Sequence, residues 1–86
     1  MPKKILVVDD ELSFRKLLKM ELEDEGYEVE LAADGAEALE KLSKEKFDLI
    51  TLDIRMPNVD GIEFLGKVRE FVKEIPIIIC TAYGAH

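Results

Sequence analysis

The sequence has 86 residues and a formal net charge of −7, with 48% hydrophobic and 36% charged residues. These values fit one small globular domain and exclude a disordered chain. The acidic balance argues against nucleic acid or an anionic membrane as a direct partner, since both attract clustered Lys and Arg. One cysteine and no apolar run near the ~20 residues of a membrane span predict a cytoplasmic protein.

The first half of the chain predicts two strand-helix units. A continuous apolar run at residues 5–8 is typical of a parallel strand that is buried on both faces. A helix is expected from about Ser13 to Gly26, a residue that can end it in a left-handed conformation. The inner face of this helix is predicted to carry four apolar residues at helical spacing, which are Phe14, Leu17, Leu18 and Leu22.

The second unit begins with an alternating pattern. Tyr27, Val29 and Leu31 alternate with glutamates, which indicates a strand at the edge of a sheet. Asp34 stands three residues before Glu37, a spacing that predicts a capping box at the start of a second helix. The inner face of that helix is predicted to consist of Ala38, Leu39 and Leu42.

The second half of the chain predicts two more strands with a helix between them. Residues 47–53 form the third predicted strand, a helix begins at about Gly61, and residues 76–81 form the fourth strand. This alternation predicts an α/β fold with a doubly wound parallel sheet, strand order 2-1-3-4 and three helices. Only five residues follow Thr81, so the sheet is expected to be incomplete beyond the fourth strand.

Three acidic side chains are predicted to meet at the carboxyl edge of this sheet. Asp9 and Asp10 follow the first strand and Asp53 ends the third, so the three converge if these strands are neighbours. Clustered carboxylates disfavour each other's ionised form, and a hard divalent cation such as Mg²⁺ or Mn²⁺ would compensate them. The alternative interpretation is that Asp10 only caps the first helix and Asp53 only opens a loop.

A carboxylate beside such a cation can act as a nucleophile toward phosphorus. Asp53 is the best placed of the three, and its attack would give an acyl phosphate. Thr81 could then donate a hydrogen bond to a phosphoryl oxygen and draw the adjacent loop inward. The alternative for Thr81 is a strand-end hydroxyl that is satisfied by the backbone.

Three segments of the chain resemble a known family. "ILVVDDE", "DLITLDIRMPNVDG" and "PIIICTAYG" are similar to the receiver domain of bacterial two-component response regulators, which has a flavodoxin-like fold. The resemblance implies phosphorylation of Asp53 by a sensor histidine kinase or a phosphotransfer protein. It also implies the following roles: Asp9 and Asp10 as the acidic pair, the main-chain carbonyl of Arg55 as a further Mg²⁺ ligand, Thr81 as the switch hydroxyl, Pro57 as the residue that shapes the loop, and Gly61 as the start of the third helix.

The sequence departs from the family pattern after the fourth strand. Receiver domains continue into a helix, a fifth strand that ends in a lysine, and a last helix, so residues 1–86 are expected to be a single receiver domain without that portion. Lys3 and Lys4 lie at the wrong end of the first strand to replace the lysine. Tyr83 does not replace the aromatic switch residue of the fifth strand. Phosphorylation is therefore expected to be impaired.

Two other functions compete with the signalling phosphoacceptor. A Mg²⁺-dependent phosphohydrolase of the aspartyl-phosphate type would need an acid two residues after the nucleophile, where this chain has Arg55. The second alternative is a truncated receiver that acts as a self-associating interaction module. It predicts a homodimer or larger oligomer through the edge of the fourth strand, from Ile77 to Cys80, and through Phe14 or Leu17 of the first helix.

Overall fold

The protein contains a four-stranded parallel sheet. The computed structural model describes residues 2–53, 66–70 and 73–80. The strand order of the sheet is β2-β1-β3-β4. The strands are β1 (Lys4–Val8), β2 (Glu28–Ala32), β3 (Leu49–Asp53) and β4 (Ile77–Cys80). The helices are α1 (Leu12–Asp24) and α2 (Gly35–Lys44), and residues 66–70 are also helical. The predicted α/β fold, strand order and three helices are confirmed.

The core lies on both faces of the two central strands. On one face, Leu6 and Val8 of β1 pack with Ile50 and Leu52 of β3, and with α2 and Val68. The opposite face contains a smaller buried cluster of Ile5, Val7 and Val29, against which α1 packs Leu18 and Leu22. A strand that contributes to both faces must be apolar at successive positions, and this explains the unbroken run in β1.

Local capping fixes where α2 begins. The Asp34 side chain accepts a hydrogen bond from the Glu37 N–H at 2.9 Å, and Glu37 Oε1 accepts one from the Ala33 N–H at 2.7 Å. The predicted capping box is thus present, with the return bond one residue before the N-cap. After α1, Gly26 adopts a φ of 98°, a left-handed conformation that glycine reaches at low cost and that turns the chain into β2.

The inner face of α1 is narrower than predicted. Leu18 and Leu22 pack against the smaller cluster, whereas the side chains of Phe14 and Leu17 remain 38% and 48% exposed. The reason is the position of the helix, which lies against β1 and β2 at one side of the sheet. Among the described residues, no helix combines the length and the apolar character needed to cross a membrane.

Candidate functional site at the carboxyl edge of the sheet

The pairing of β1 with β3 places the predicted acidic residues at one edge. The register aligns Val8 with Leu52, so Asp9 and Asp53 each follow one member of the same pair. The strand order reverses between β1 and β3, because β2 lies on one side of β1 and β3 on the other. A crevice at such a reversal, outside the carboxyl ends of the strands, is where open α/β sheets bind ligands.

Asp9 is fixed in this edge by its main chain and its side chain. Its N–H donates to the Ala32 carbonyl at 3.1 Å, which extends the β1-β2 pairing by one residue. Its carbonyl accepts a hydrogen bond from Arg15 Nη1 at 2.6 Å, and its Oδ1 accepts one from the Glu11 N–H at 2.8 Å. Asp9 is only 6% exposed, so its carboxylate is held at a defined place at the end of β1.

Asp10 is exposed and does not cap α1. The N-cap residue is Glu11, whose side chain makes no capping hydrogen bond. The alternative interpretation of Asp10 as a helix cap is therefore wrong. With Asp9 turned inward and Asp10 exposed beside it, the turn between β1 and α1 presents two consecutive carboxylates at the edge where β3 ends.

The remaining predicted site residues are only partly covered by the structure. Asp53 ends β3, and its backbone is aligned with Cys80 of β4. Arg55 and Thr81 lie outside the described residues, as do Pro57, Gly61 and Tyr83. Their predicted roles, and that of the Asp53 side chain, stay predictions.

The chemistry of the edge suits a hard divalent cation. Asp9 and Asp10 supply carboxylate oxygens, the ligands that Mg²⁺ and Ca²⁺ prefer. A carboxylate has about four lone-pair sites, so a carboxylate that accepts hydrogen bonds can still coordinate a cation. No group of three or more potential metal ligands occurs among the side chains that the structure describes, and Asp53 would have to supply the third carboxylate.

The sequence reasoning missed one residue of this edge. Arg15 lies in α1, and its guanidinium reaches back to the carbonyl of Asp9. A basic residue one turn into the helix after an acidic pair was the available signal. This signal is not specific, since two lysines of α1, Lys16 and Lys19, are basic as well.

Fold and site together describe a flavodoxin-like domain with an acidic edge, and comparison with known proteins identifies the family. The family model described as "Response regulator receiver domain" matches residues 5–86. Sporulation initiation phosphotransferase F of Bacillus subtilis is 44% identical over 84 residues, which cover 98% of this chain and 68% of that protein. The chain belongs to the response regulator receiver domain family.

Other relatives are longer or have solved structures. The alkaline phosphatase synthesis transcriptional regulatory protein PhoP of B. subtilis is 51% identical over 82 residues, or 95% of this chain, but the match spans only 34% of that protein. Response regulator TrrA of Thermotoga maritima, solved in complex with Mg²⁺-BeF, has 49% identity and a TM-score of 0.89, covering 96% of this chain and 72% of that one. TrrA was also solved in complex with the histidine kinase ThkA, at 51% identity and a TM-score of 0.87, covering 94% of this chain and 70% of that one.

Proposed function

We propose that this receiver domain accepts a phosphoryl group on Asp53 from a sensor histidine kinase or a phosphotransfer protein. The observation that carries the proposal is the register of β1 and β3, which aligns Val8 with Leu52. It brings the end of β3 beside the Asp9-Asp10 turn at the point where the strand order reverses. The complex of TrrA with the histidine kinase ThkA supports the proposed class of partner.

The proposed step is a phosphoryl transfer between two side chains. A carboxylate oxygen of Asp53 attacks the phosphorus, the new P–O bond makes an acyl phosphate, and the P–N bond to the donor histidine breaks. The imidazole leaves with the electron pair of that bond and takes up a proton from solvent. Asp9 holds the end of β1 in place through its hydrogen bonds to Ala32, Glu11 and Arg15.

The proposed cofactor is Mg²⁺, with Mn²⁺ as a substitute. Asp9, Asp10 and Asp53 would hold it, together with the main-chain carbonyl of Arg55. Bound there, it supplies positive charge that offsets the like charges of the carboxylates and the phosphoryl oxygens. The structure of TrrA with Mg²⁺-BeF supports a divalent cation in this family.

The phosphorylated domain is proposed to signal through its surface. Thr81 follows β4 and would donate a hydrogen bond to the phosphoryl group, so that the segment around it shifts and changes a surface that a partner protein reads. This role makes the protein a signalling phosphoprotein of the cytoplasm rather than an enzyme. Arg55, at the position where a phosphohydrolase would need a second acid, supports the same distinction.

Covalent labelling with a matched control tests the phosphoacceptor. The chain is incubated with Mg²⁺ and acetyl phosphate, and intact-mass spectrometry follows the addition of one phosphoryl group. Asp53→Asn should abolish a base-labile adduct. Asp48→Asn, the same change at the opposite end of β3, should keep it. An adduct that persists in Asp53→Asn, or that never forms on the unaltered chain, contradicts the proposal.

A second candidate function, self-association, is favoured by exposed apolar side chains on one face. Val7 lies on the face covered by α1, and the register aligns Val7 with Thr51 and Thr51 with Ile78. Ile78 is 51% exposed on that face, and Phe14 and Leu17 are exposed on α1, the helix that packs on it. Exposed apolar side chains of this kind are suited to contact with a second copy of the chain.

Light scattering tests this second candidate. The unaltered chain should have the mass of a dimer or larger oligomer at micromolar concentration, and Ile78→Lys should shift it to the monomer. Glu70→Lys, a charge change at an exposed position of the helical segment 66–70, serves as the control and should leave the oligomer intact. A monomeric unaltered chain would eliminate self-association without affecting the phosphoacceptor proposal.

A further inference from the structure

Arg15 connects α1 to the turn that carries the acidic pair. Its Nη1 donates to the carbonyl of Asp9 at 2.6 Å, and its own N–H donates to the carbonyl of Glu11 at 3.0 Å. The Arg15 side chain is partly buried. The Arg15 side chain therefore links the first residues of α1 to Asp9, the first residue of the turn.

This link is important because the turn lacks the usual support. Glu11, the N-cap of α1, makes no side-chain capping bond, so nothing of that type anchors the start of the helix. The Asp9 carboxylate bonds to the Glu11 N–H within the turn itself. The Arg15 side chain ties the main chain of the turn to the body of α1.

We infer that Arg15 is a positioning residue that orients Asp9 and Asp10 for the divalent cation. The inference rests on the proposed function, since it assigns a role toward the same cation site. A planar guanidinium has a fixed geometry that an ammonium group lacks. Residues that hydrogen-bond to metal ligands and orient them commonly contribute on the order of 10-fold or more in metal affinity.

Charge and geometry predict opposite outcomes when Arg15 is removed. A positive charge near two carboxylates repels a cation, so its loss alone should strengthen Mg²⁺ binding. Loss of the hydrogen bond to Asp9 frees the turn and should weaken Mg²⁺ binding. The sign of the change in affinity therefore separates a positioning residue from a nearby charge.

A Mg²⁺ titration followed by NMR makes this test. The amide signals of residues 9–11 report the apparent dissociation constant for MgCl₂ in the unaltered chain, Arg15→Met, Arg15→Lys and Arg69→Met. Arg69 is the matched control, because its Nη1 also donates to a main-chain carbonyl, that of Ile75 at 2.9 Å, just before β4 begins. Arg15→Met should raise the dissociation constant on the order of 10-fold, Arg15→Lys should raise it less, and Arg69→Met should leave it unchanged.

The outcomes are separable from those of the proposed function. Equal or tighter Mg²⁺ binding in Arg15→Met overturns the inference, and so does the absence of Mg²⁺ binding in the unaltered chain. If Arg15→Met does not fold, Arg15→Lys decides, since it keeps the charge and must still bind Mg²⁺ more weakly. A chain that binds Mg²⁺ with this pattern but never forms the Asp53 adduct would contradict the phosphoacceptor and leave the role of Arg15 standing.

Discussion

The two ends of the central strands differ in the arrangement of their charged residues. At the amino end, Lys4 forms an ion pair with Glu45, its Nζ lies 5.4 Å from the centre of the Phe47 ring, and its N–H donates to Asp48 Oδ2 at 2.8 Å. The Asp48 N–H donates back to the Lys4 carbonyl at 2.7 Å. At the carboxyl end, the same strands lead into Asp9, Asp10 and Asp53.

In the proposed function, this difference separates an end that stabilises the fold from an end that binds a cation. Opposite charges at the amino end compensate each other within the chain, so they hold β1 against the segment that enters β3. At the carboxyl end, Asp9 and Asp10 carry like charges, and the proposed function adds the carboxylate of Asp53. Like charges at close range disfavour each other's ionised form and favour a cation. Functional sites commonly keep such unfavourable groups, while the remainder of the fold compensates for them.

The largest effect is expected from the strands that connect the two ends. Leu52 is fully buried beside Val8, so Leu52→Ala should lower the free energy of unfolding by about 2–5 kcal/mol and weaken both ends together. Urea denaturation monitored by circular dichroism measures the change. Ile78→Ala, at a half-exposed position of β4, is the control and should cost clearly less. Equal losses for the two variants would mean that the core is not centred on β1 and β3.

The next largest effect is the change in the free energy of unfolding when a charge is removed at the carboxyl end. Asp10→Asn removes one of the like charges and should raise the free energy of unfolding by about 1 kcal/mol in metal-free buffer. Asp48→Asn at the amino end should give no gain, because Asp48 bonds to Lys4 there. Thermal unfolding with a chelator compares the two variants. A loss of stability in Asp10→Asn would assign that carboxylate a structural role.

The smallest effect is the pH dependence of the stability that Lys4 contributes at the amino end. The hydrogen bond to Glu45 raises the pKa of Lys4 above its ordinary value of 10.5, and the charges of Glu45, Glu30 and Glu28 add to the increase in pKa. The stability that Lys4 contributes is therefore fully present below pH 10.5 and is lost as the pH rises through the raised pKa. The difference in unfolding midpoint between the unaltered chain and Lys4→Met should be small at neutral pH and vanish in strong alkali. A difference that grows with alkaline pH would contradict the assignment.

Much of this architecture could be predicted from the sequence because its signals are local. The apolar run of β1, the alternation around Val29 and the Asp34-Glu37 spacing each depend on neighbouring residues, and each is present in the structure. The inner face of α1 was predicted too widely, since helical spacing alone does not tell how far Phe14 lies from the sheet. The bond from Arg15 to Asp9 was not predictable, because it depends on how the helix leaves the turn.

The response of the unfolding midpoint to Mg²⁺ tests the difference between the two ends most directly. At about ten times the dissociation constant, bound Mg²⁺ should add about 1.4 kcal/mol, or roughly 6–11 °C in a domain of this size. The double variant Asp10→Ala/Asp53→Ala is expected to lose this shift, whereas Glu45→Gln/Asp48→Asn, which alters two acids at the amino end, should keep it. An equal Mg²⁺ response in both double variants would contradict the assignment of the cation site to the carboxyl end.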